Sequence, residues 1–310
     1  MRILVHGRQA FGKAVLERLL DGPDDVVGIF CPPDAEKGPP DPIKTLALER
    51  GLPLHQPASW KGPDALDLIR SFNADLCVMA YVTMLVPKAC LDAPANGSIQ
   101  YHPSLLPRHR GPSSINWAVI QGDTRTGLSI FWPDDGLDTG PVLLTKTVEI
   151  GPGDTVGSLY FDHLFPTGVD AMIEAVELVR ADTAPRLVQD ESQATYEGWC
   201  KDEDAEVNWA KPAAEVDCLI RGTDPQPGAW TTTGGQRLTL FGARLAEGAG
   251  KPGEILALGE DGMIIATGSD ATGSGAVRIA RVRADGSREK LAAAEYAAGT
   301  GLGVGSLLGN

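Results

Sequence analysis

Basic residues are scarce. The 310-residue chain carries 27 Lys and Arg against 41 Asp and Glu, a formal net charge of −14 with His neutral. Nucleic acids and anionic lipid surfaces are gripped by clustered Lys and Arg, so this deficit argues against a broad footprint on either. A local basic pocket stays open. Cysteine is scarce too: Cys31, Cys77, Cys90, Cys200 and Cys218 are odd in number and share no Cys-x-x-Cys spacing. That pattern suggests neither a disulfide framework nor a zinc site. No stretch approaches the roughly 20 apolar residues of a membrane span. The N-terminus runs straight into Ile3-Leu4-Val5, without a basic segment or a cleavable apolar one. The expectation is a cytoplasmic protein with no membrane and no metal. Aromatics make up only 6% of a chain that is 43% apolar, an ordinary globular mixture, and at about 150 residues per domain its length suggests two domains.

The first hundred residues alternate strand-like and helical patterns. Ile3 to Val5, Val26 to Phe30, Asp75 to Ala80 and Gly97 to Tyr101 read as strands, and the third is apolar almost throughout, as when both sheet faces are covered. Ala14, Val15, Leu16, Leu19 and Leu20 form a helical stripe, and further helices are expected around 46–50 and 65–72. This alternation predicts an α/β domain with a mostly parallel sheet. A helix (113–121), two strands (127–132 and 142–150) and a long helix over 155–180 follow. The segment 182–204 is polar and turn-rich and reads as a linker. Beyond it, β-like runs at 237–245, 253–258, 263–266 and 277–282 suggest a small β-barrel domain. The expected division is 1–181, 182–204 and 205–310. The Gly-rich tail, 299–310, is expected to be loose.

Three loops hold chemistry-bearing residues. Gly7 to Ala14 nearly matches a Walker phosphate loop, but Ala14 replaces the Ser/Thr that would hold magnesium, and the middle glycine of a dinucleotide fingerprint is missing. It reads as a tight strand-to-helix turn. Gln100 to Gly111 places His102 at the carboxyl end of a buried strand, where open α/β sheets bind ligands. Imidazole exchanges protons near neutral pH. His109, between two arginines, reads as solvated. The third loop, Trp132 to Gly140, sets Asp134, Asp135 and Asp138 among glycines without the spacing of a calcium loop. An Asp in such a loop and a His at a strand end are the parts of an orienting carboxylate and an acid/base imidazole.

Ser-Leu-Leu-Pro-Arg-x-Arg-Gly (104–111) followed by Asp-x-Gly-Leu-Asp-Thr-Gly (134–140) resembles the signature pair of the folate-dependent formyltransferase family. The longer string from Tyr101 to Gly111, with Ile115-Asn116-Trp117, Ala194-Thr195-Tyr196-Glu197-Gly198, Asn208-Trp209, Leu219 to Gly222 and Pro227 to Thr231, is similar to one branch. That branch is the amino-terminal hydrolase domain of 10-formyltetrahydrofolate dehydrogenase. The resemblance implies a Rossmann-like formyltransferase domain followed by a small, OB-like β-barrel, and 10-formyltetrahydrofolate as formyl donor. It implies His102 as the catalytic histidine and Asp138 as the essential carboxylate. Met84, Leu85 and Val86 would form the pterin loop, with backbone groups near Asp134, Asp135, Gly136 and Leu137. Gln100 departs from the pattern: transferases place Asn there and the dehydrogenase type an aliphatic residue. Its amide still offers an oxyanion donor, displaced by about one carbon–carbon bond.

The acceptor stays open between water, a small amine and methionyl-tRNA. The tRNA enzymes insert a basic loop where residues 32–42 hold Asp34, Glu36 and Asp41 against Lys37 alone, so tRNA is disfavoured. The dehydrogenase's carrier and aldehyde-dehydrogenase domains do not fit in 310 residues. A separate carrier or aldehyde-dehydrogenase partner is one open arrangement. An idle folate-binding module is the alternative outside catalysis.

Overall fold

The computed structural model describes residues 1–268 and 275–309. Two units organise the chain. Met1–Pro112, Gly127–Val148 and Asp162–Glu197 form one, and Ser113–Thr126, Glu149–Phe161 and Gly198–Asn310 the other. The units are thus interleaved in sequence.

The first unit is built on a seven-stranded sheet. Its strands are β1 (Arg2–Gly7), β2 (Asp25–Phe30), β3 (Leu54–His55), β4 (Leu76–Ala80), β5 (Ser98–His102), β6 (Arg125–Phe131) and β7 (Val142–Glu149), ordered β3-β2-β1-β4-β5-β6-β7. From β3 to β5 the neighbours run parallel, and β6 returns antiparallel to β5. Ile3, Leu4, Val5, Leu76, Val78 and Ile99 are fully buried, which is why these runs carry no polar alternation. The mostly parallel α/β sheet expected from sequence is therefore present. β3 was not expected. Its two residues lie on the sheet edge beyond Pro53, whose carbonyl accepts from Ile29 N at 2.8 Å. Proline gives no N–H, and an edge position asks for none on the outer side.

Four helices connect these strands: α1 (Gln9–Leu20), α2 (Pro42–Glu49), α3 (Pro63–Ser71) and α4 (Lys88–Leu91). After them come α5 (Ser114–Ile120), α6 (Val156–Ser158) and α7 (Phe165–Arg180). The single long helix expected over 155–180 is broken. Thr155 and Ser158 close a reciprocal capping box, and residues Leu159–Leu164 then form a π-helical turn before α7. Pro166 explains the break, because it has no N–H and its ring crowds the preceding turn.

At its far end α7 brings Arg180 onto Asp24, which the Met1 amino group also reaches at 2.8 Å. Burial pushes the Asp24 carboxyl up, but hydrogen bonds and charge from Arg180 and the amino group outweigh it and hold it below its usual value. A depressed folded-state pKa stabilises above the unfolded value and is lost as pH falls through the folded one. Asp24→Asn is therefore expected to cost about 1–2 kcal/mol at neutral pH, shrinking toward zero in acid as the pH falls through the folded value. Denaturant melts at neutral and acid pH check this.

The second unit holds α8 (Ala213–Gly222), α9 (Ala293–Thr300) and an antiparallel sheet. Its strands are β8 (Trp230–Thr233), β9 (Gln236–Ala246), β10 (Ile255–Gly259), β11 (Gly262–Ala266), β12 (Ala276–Ala284) and β13 (Leu291–Ala292). The path runs β10-β11-β12-β9-β8, with β13 also on β12. Val216 and Ile220 of α8 pack with Leu238, Leu240, Val277 and Ile279 into one core. The tail is not loose. Leu308 is buried, its N–H bonds Gly253 O at 2.9 Å, and Gly309 N bonds Thr232 O at 2.8 Å. Leu308, inside a glycine-rich string, gives these backbone groups a fixed seat. Asn310, also in that expectation, lies outside the described residues.

Candidate active site

His102 is the last residue of β5, at the carboxyl edge of the parallel strands. Ser129 stands opposite it on β6 and pins the loop that follows: its Oγ accepts from Leu106 N at 3.1 Å and donates to Ser104 O at 2.8 Å. The loop returns to the ring it left. His102 Nε2 lies 2.9 Å from the His109 carbonyl, to which it must donate. That bond fixes the ring's orientation and leaves Nδ1 facing Asp138 Oδ2 at 3.5 Å. Both side chains are buried.

Asp138 is held just as firmly. Its Oδ2 accepts from Gly111 N at 2.9 Å, and its backbone is left-handed, φ +58°, a conformation that Asp tolerates better than bulkier residues. Gly111 has φ +107°, and a Cβ there would sit 2.2 Å from Glu197 O. Gly111→Ala must push that carbonyl away and drag the N–H off Asp138. It is expected to cost more than about 1 kcal/mol of stability and at least tenfold in turnover; thermal melts and steady-state rates check both.

The other expected residues fall in two places. Gln100 is half-buried two positions before His102, hence on the same sheet face, and its amide makes no hydrogen bond among the described residues. Asp134 staples its own loop, with Oδ1 accepting from Gly136 N at 3.0 Å and Thr139 Oγ1 at 2.6 Å. Asp135, Gly136 and Leu137 are exposed. Met84 and Val86 are half-buried against an apolar cluster that includes Phe30, Trp60 and Cys90, while Leu85 is 75% exposed. The two loops share a neighbourhood: Asp92 first, then the fields of Asp135 and Asp134, raise the Lys88 ammonium above its usual value. Val86 also lines a small cavity with His6 and Trp60. Burial lowers His6 to about 3, so its ring is neutral.

The polar segment read as a linker is part of the site's support. Thr195 and Glu197 bind the loop after His102: Thr195 Oγ1 accepts from His109 N at 2.8 Å, and Glu197 N bonds Arg110 O at 3.1 Å. His109 is accordingly not solvated. Its left-handed backbone (φ +53°) turns the ring inward, where Nδ1 lies 3.3 Å from Glu197 Oε2. Gln189 and Arg110, both buried, were missed as well. The one signal for this segment was the string 194–198, too specific for a spacer.

Thiol chemistry from the chain itself has little support. All five cysteines are free, and burial pushes Cys77 up to about 12 and Cys31 and Cys200 up to about 11. Such thiols stay protonated at neutral pH. Among the described residues no three His, Cys, Asp or Glu side chains are grouped to hold a metal ion, and no helix is long and apolar enough to cross a membrane.

Residues 1–176 match the family described as formyl transferase, and residues 200–301 match the formyl transferase C-terminal domain. The chain belongs to the formyltransferase family. Among this family's members, the chain is 43% identical over 261 residues to mitochondrial 10-formyltetrahydrofolate dehydrogenase of Homo sapiens, covering 83% of this chain and 28% of that protein. It thus spans little more than a quarter of the dehydrogenase. It is 38% identical over 312 residues to methionyl-tRNA formyltransferase of Trichlorobacter lovleyi, covering 99% and 96%. The crystal structure of HypX from Aquifex aeolicus with tetrahydrofolic acid has the same fold, with a TM-score of 0.67 at 21% identity over 98% of this chain and 48% of that one. The formyltransferase fold is common to all three.

Proposed function

We propose that this chain is a 10-formyltetrahydrofolate-dependent enzyme that transfers the formyl group to water, giving tetrahydrofolate and formate. The observation that carries the reading is the buried His102–Asp138 pair at the carboxyl edge of a formyltransferase sheet. Folate fits the surroundings. Half-buried Met84 and Val86 with exposed Leu85 and Leu137 offer apolar contact to a pterin, and the backbone of 134–137 offers its polar edge. The substrate supplies an electrophilic formyl carbon; the chain supplies position and protons.

His102 works through Nδ1, because Nε2 is committed to the His109 carbonyl. A proton on Nδ1 stabilises charge that builds on the formyl oxygen and is then available to the leaving nitrogen. Asp138 Oδ2 is occupied by Gly111 N–H, and Oδ1 takes no hydrogen bond from a described residue. Oδ1 is therefore the oxygen that accepts a proton from the attacking water. Gln100 adds an amide donor on the same face. No carrier or aldehyde-dehydrogenase partner is needed for this half-reaction.

A second reading is methionyl-tRNA formyl transfer, favoured by a relative of that name matching over nearly its whole length. Against it stand the charge of −14 and an acidic 32–42 segment, where Asp34 pairs with Lys44 and Asp41 caps α2. Tetrahydrofolate release by the purified chain separates the two when measured alone, with thiol, with a small amine and with methionyl-tRNA. Release without any acceptor is expected. Silence until an amine or charged tRNA is added would overturn hydrolysis and make this a dedicated transferase.

A further inference from the structure

We infer that Gln189 is a positioning residue that sets the Asp138 carboxylate for reaction, an inference that rests on the proposed role of Asp138. Asp138 occupies a left-handed backbone conformation that its own sequence does not enforce. Gln189 supplies the enforcement. Its Nε2 donates both protons to this loop, one to the Asp138 carbonyl at 2.9 Å and one to the Gly140 carbonyl at 2.7 Å. Clamping the carbonyls on either side of Thr139 fixes the turn and with it the direction of the Asp138 side chain.

The amide's orientation is itself locked. Its Oε1 accepts from Arg110 Nη2 at 2.8 Å and Nε at 3.2 Å. A flipped amide would set NH₂ against the guanidinium and oxygen against two carbonyls. Arg110 is anchored in turn by a forked pair of bonds to Glu191, 2.6 and 2.9 Å, and that pairing foremost raises it above its usual value. Arg110 directly precedes Gly111, whose N–H holds Asp138 Oδ2. Gln189 thus ties the loop of the carboxylate to the loop that orients it.

The geometry yields a counterintuitive test. If Gln189 served only as a partner for Arg110, Gln189→Glu would keep the shape, add an ion pair and be harmless. A glutamate, however, has no proton for the two loop carbonyls and repels both. Gln189→Glu is expected to lower kcat for tetrahydrofolate release about 30–100-fold, as misplacement by about 1 Å does, with KM changed less than about threefold. Gln189→Asn keeps the amide but falls short by a methylene, so the same loss is expected; it serves should the Glu variant not fold, as thermal melts will show. In an Asp138→Asn background either change should alter kcat less than about threefold, because a residue acting through Asp138 has nothing left to position. Wild-type kcat in Gln189→Glu, or full additivity with Asp138→Asn, would overturn the inference while leaving Asp138 catalytic. Wild-type kcat in Asp138→Asn alone would remove the underlying reading, and the inference with it.

Discussion

His102→Ala is expected to lower kcat for tetrahydrofolate release on the order of a thousandfold or more while leaving KM within about threefold. Loss of one donor to a developing oxyanion costs about 3 kcal/mol, and loss of a positioned acid/base group removes a further factor of about a hundred or more where both roles fall on one ring. KM should hold because the apolar contacts that would hold a pterin lie on Met84, Leu85, Val86 and Leu137, not on the imidazole. The ring also has a structural share: its removal leaves the buried His109 carbonyl without the Nε2 proton, worth about 1–3 kcal/mol. Thermal melts beside the rate measurement separate the two effects. A folded His102→Ala protein retaining a tenth or more of wild-type kcat would rule out His102 as the proton-transferring group.

The sheet and the central pair were legible because their signals are local. Runs such as Ile3-Leu4-Val5 and Leu76 to Ala80 are apolar whatever lies beside them, and parallel strands covered on both faces demand that. His102 and Asp138 could be singled out because one ends a strand and the other sits in a short, glycine-flanked loop just past one. What escaped was non-local. Gln189 reaches the Asp138 loop across 51 residues and Arg110 across 79, and nothing in a polar stretch tells which glutamine will be buried. His109 was misjudged for the same reason: its environment is made by Thr195 and Glu197 from the far end of the unit. Elsewhere the misses have local causes that periodicity does not weigh. Pro166 widened a turn that hydrophobic spacing continued through, and two-residue β3 is shorter than any alternation. α8 carries a stripe too, Val216, Leu219 and Ile220, in a stretch for which no element was expected.

Asp138→Asn is expected to lower kcat on the order of a hundred- to ten-thousandfold with almost no change in stability. Two features make this substitution clean. Asn tolerates the left-handed backbone as well as Asp does, so the φ of +58° carries no new strain. Its amide oxygen can still accept from Gly111 N, and Gln189 still clamps the loop carbonyls. What the amide cannot do is take a proton: its NH₂ stands where Oδ1 stood, the oxygen assigned to accept from the attacking water. Asp138→Ala differs: it gives up the left-handed preference and the Gly111 bond together, so its rate loss mixes chemistry with disorder. Melting temperatures within a few degrees of wild type for Asp138→Asn, and a clear drop for Asp138→Ala, are the expected signature. The double variant His102→Ala with Asp138→Asn should be little slower than the worse single one, since residues acting as one unit do not add. Full additivity would mean that His102 and Asp138 act without coupling to one another, and the reading of the pair as one unit would have to be abandoned.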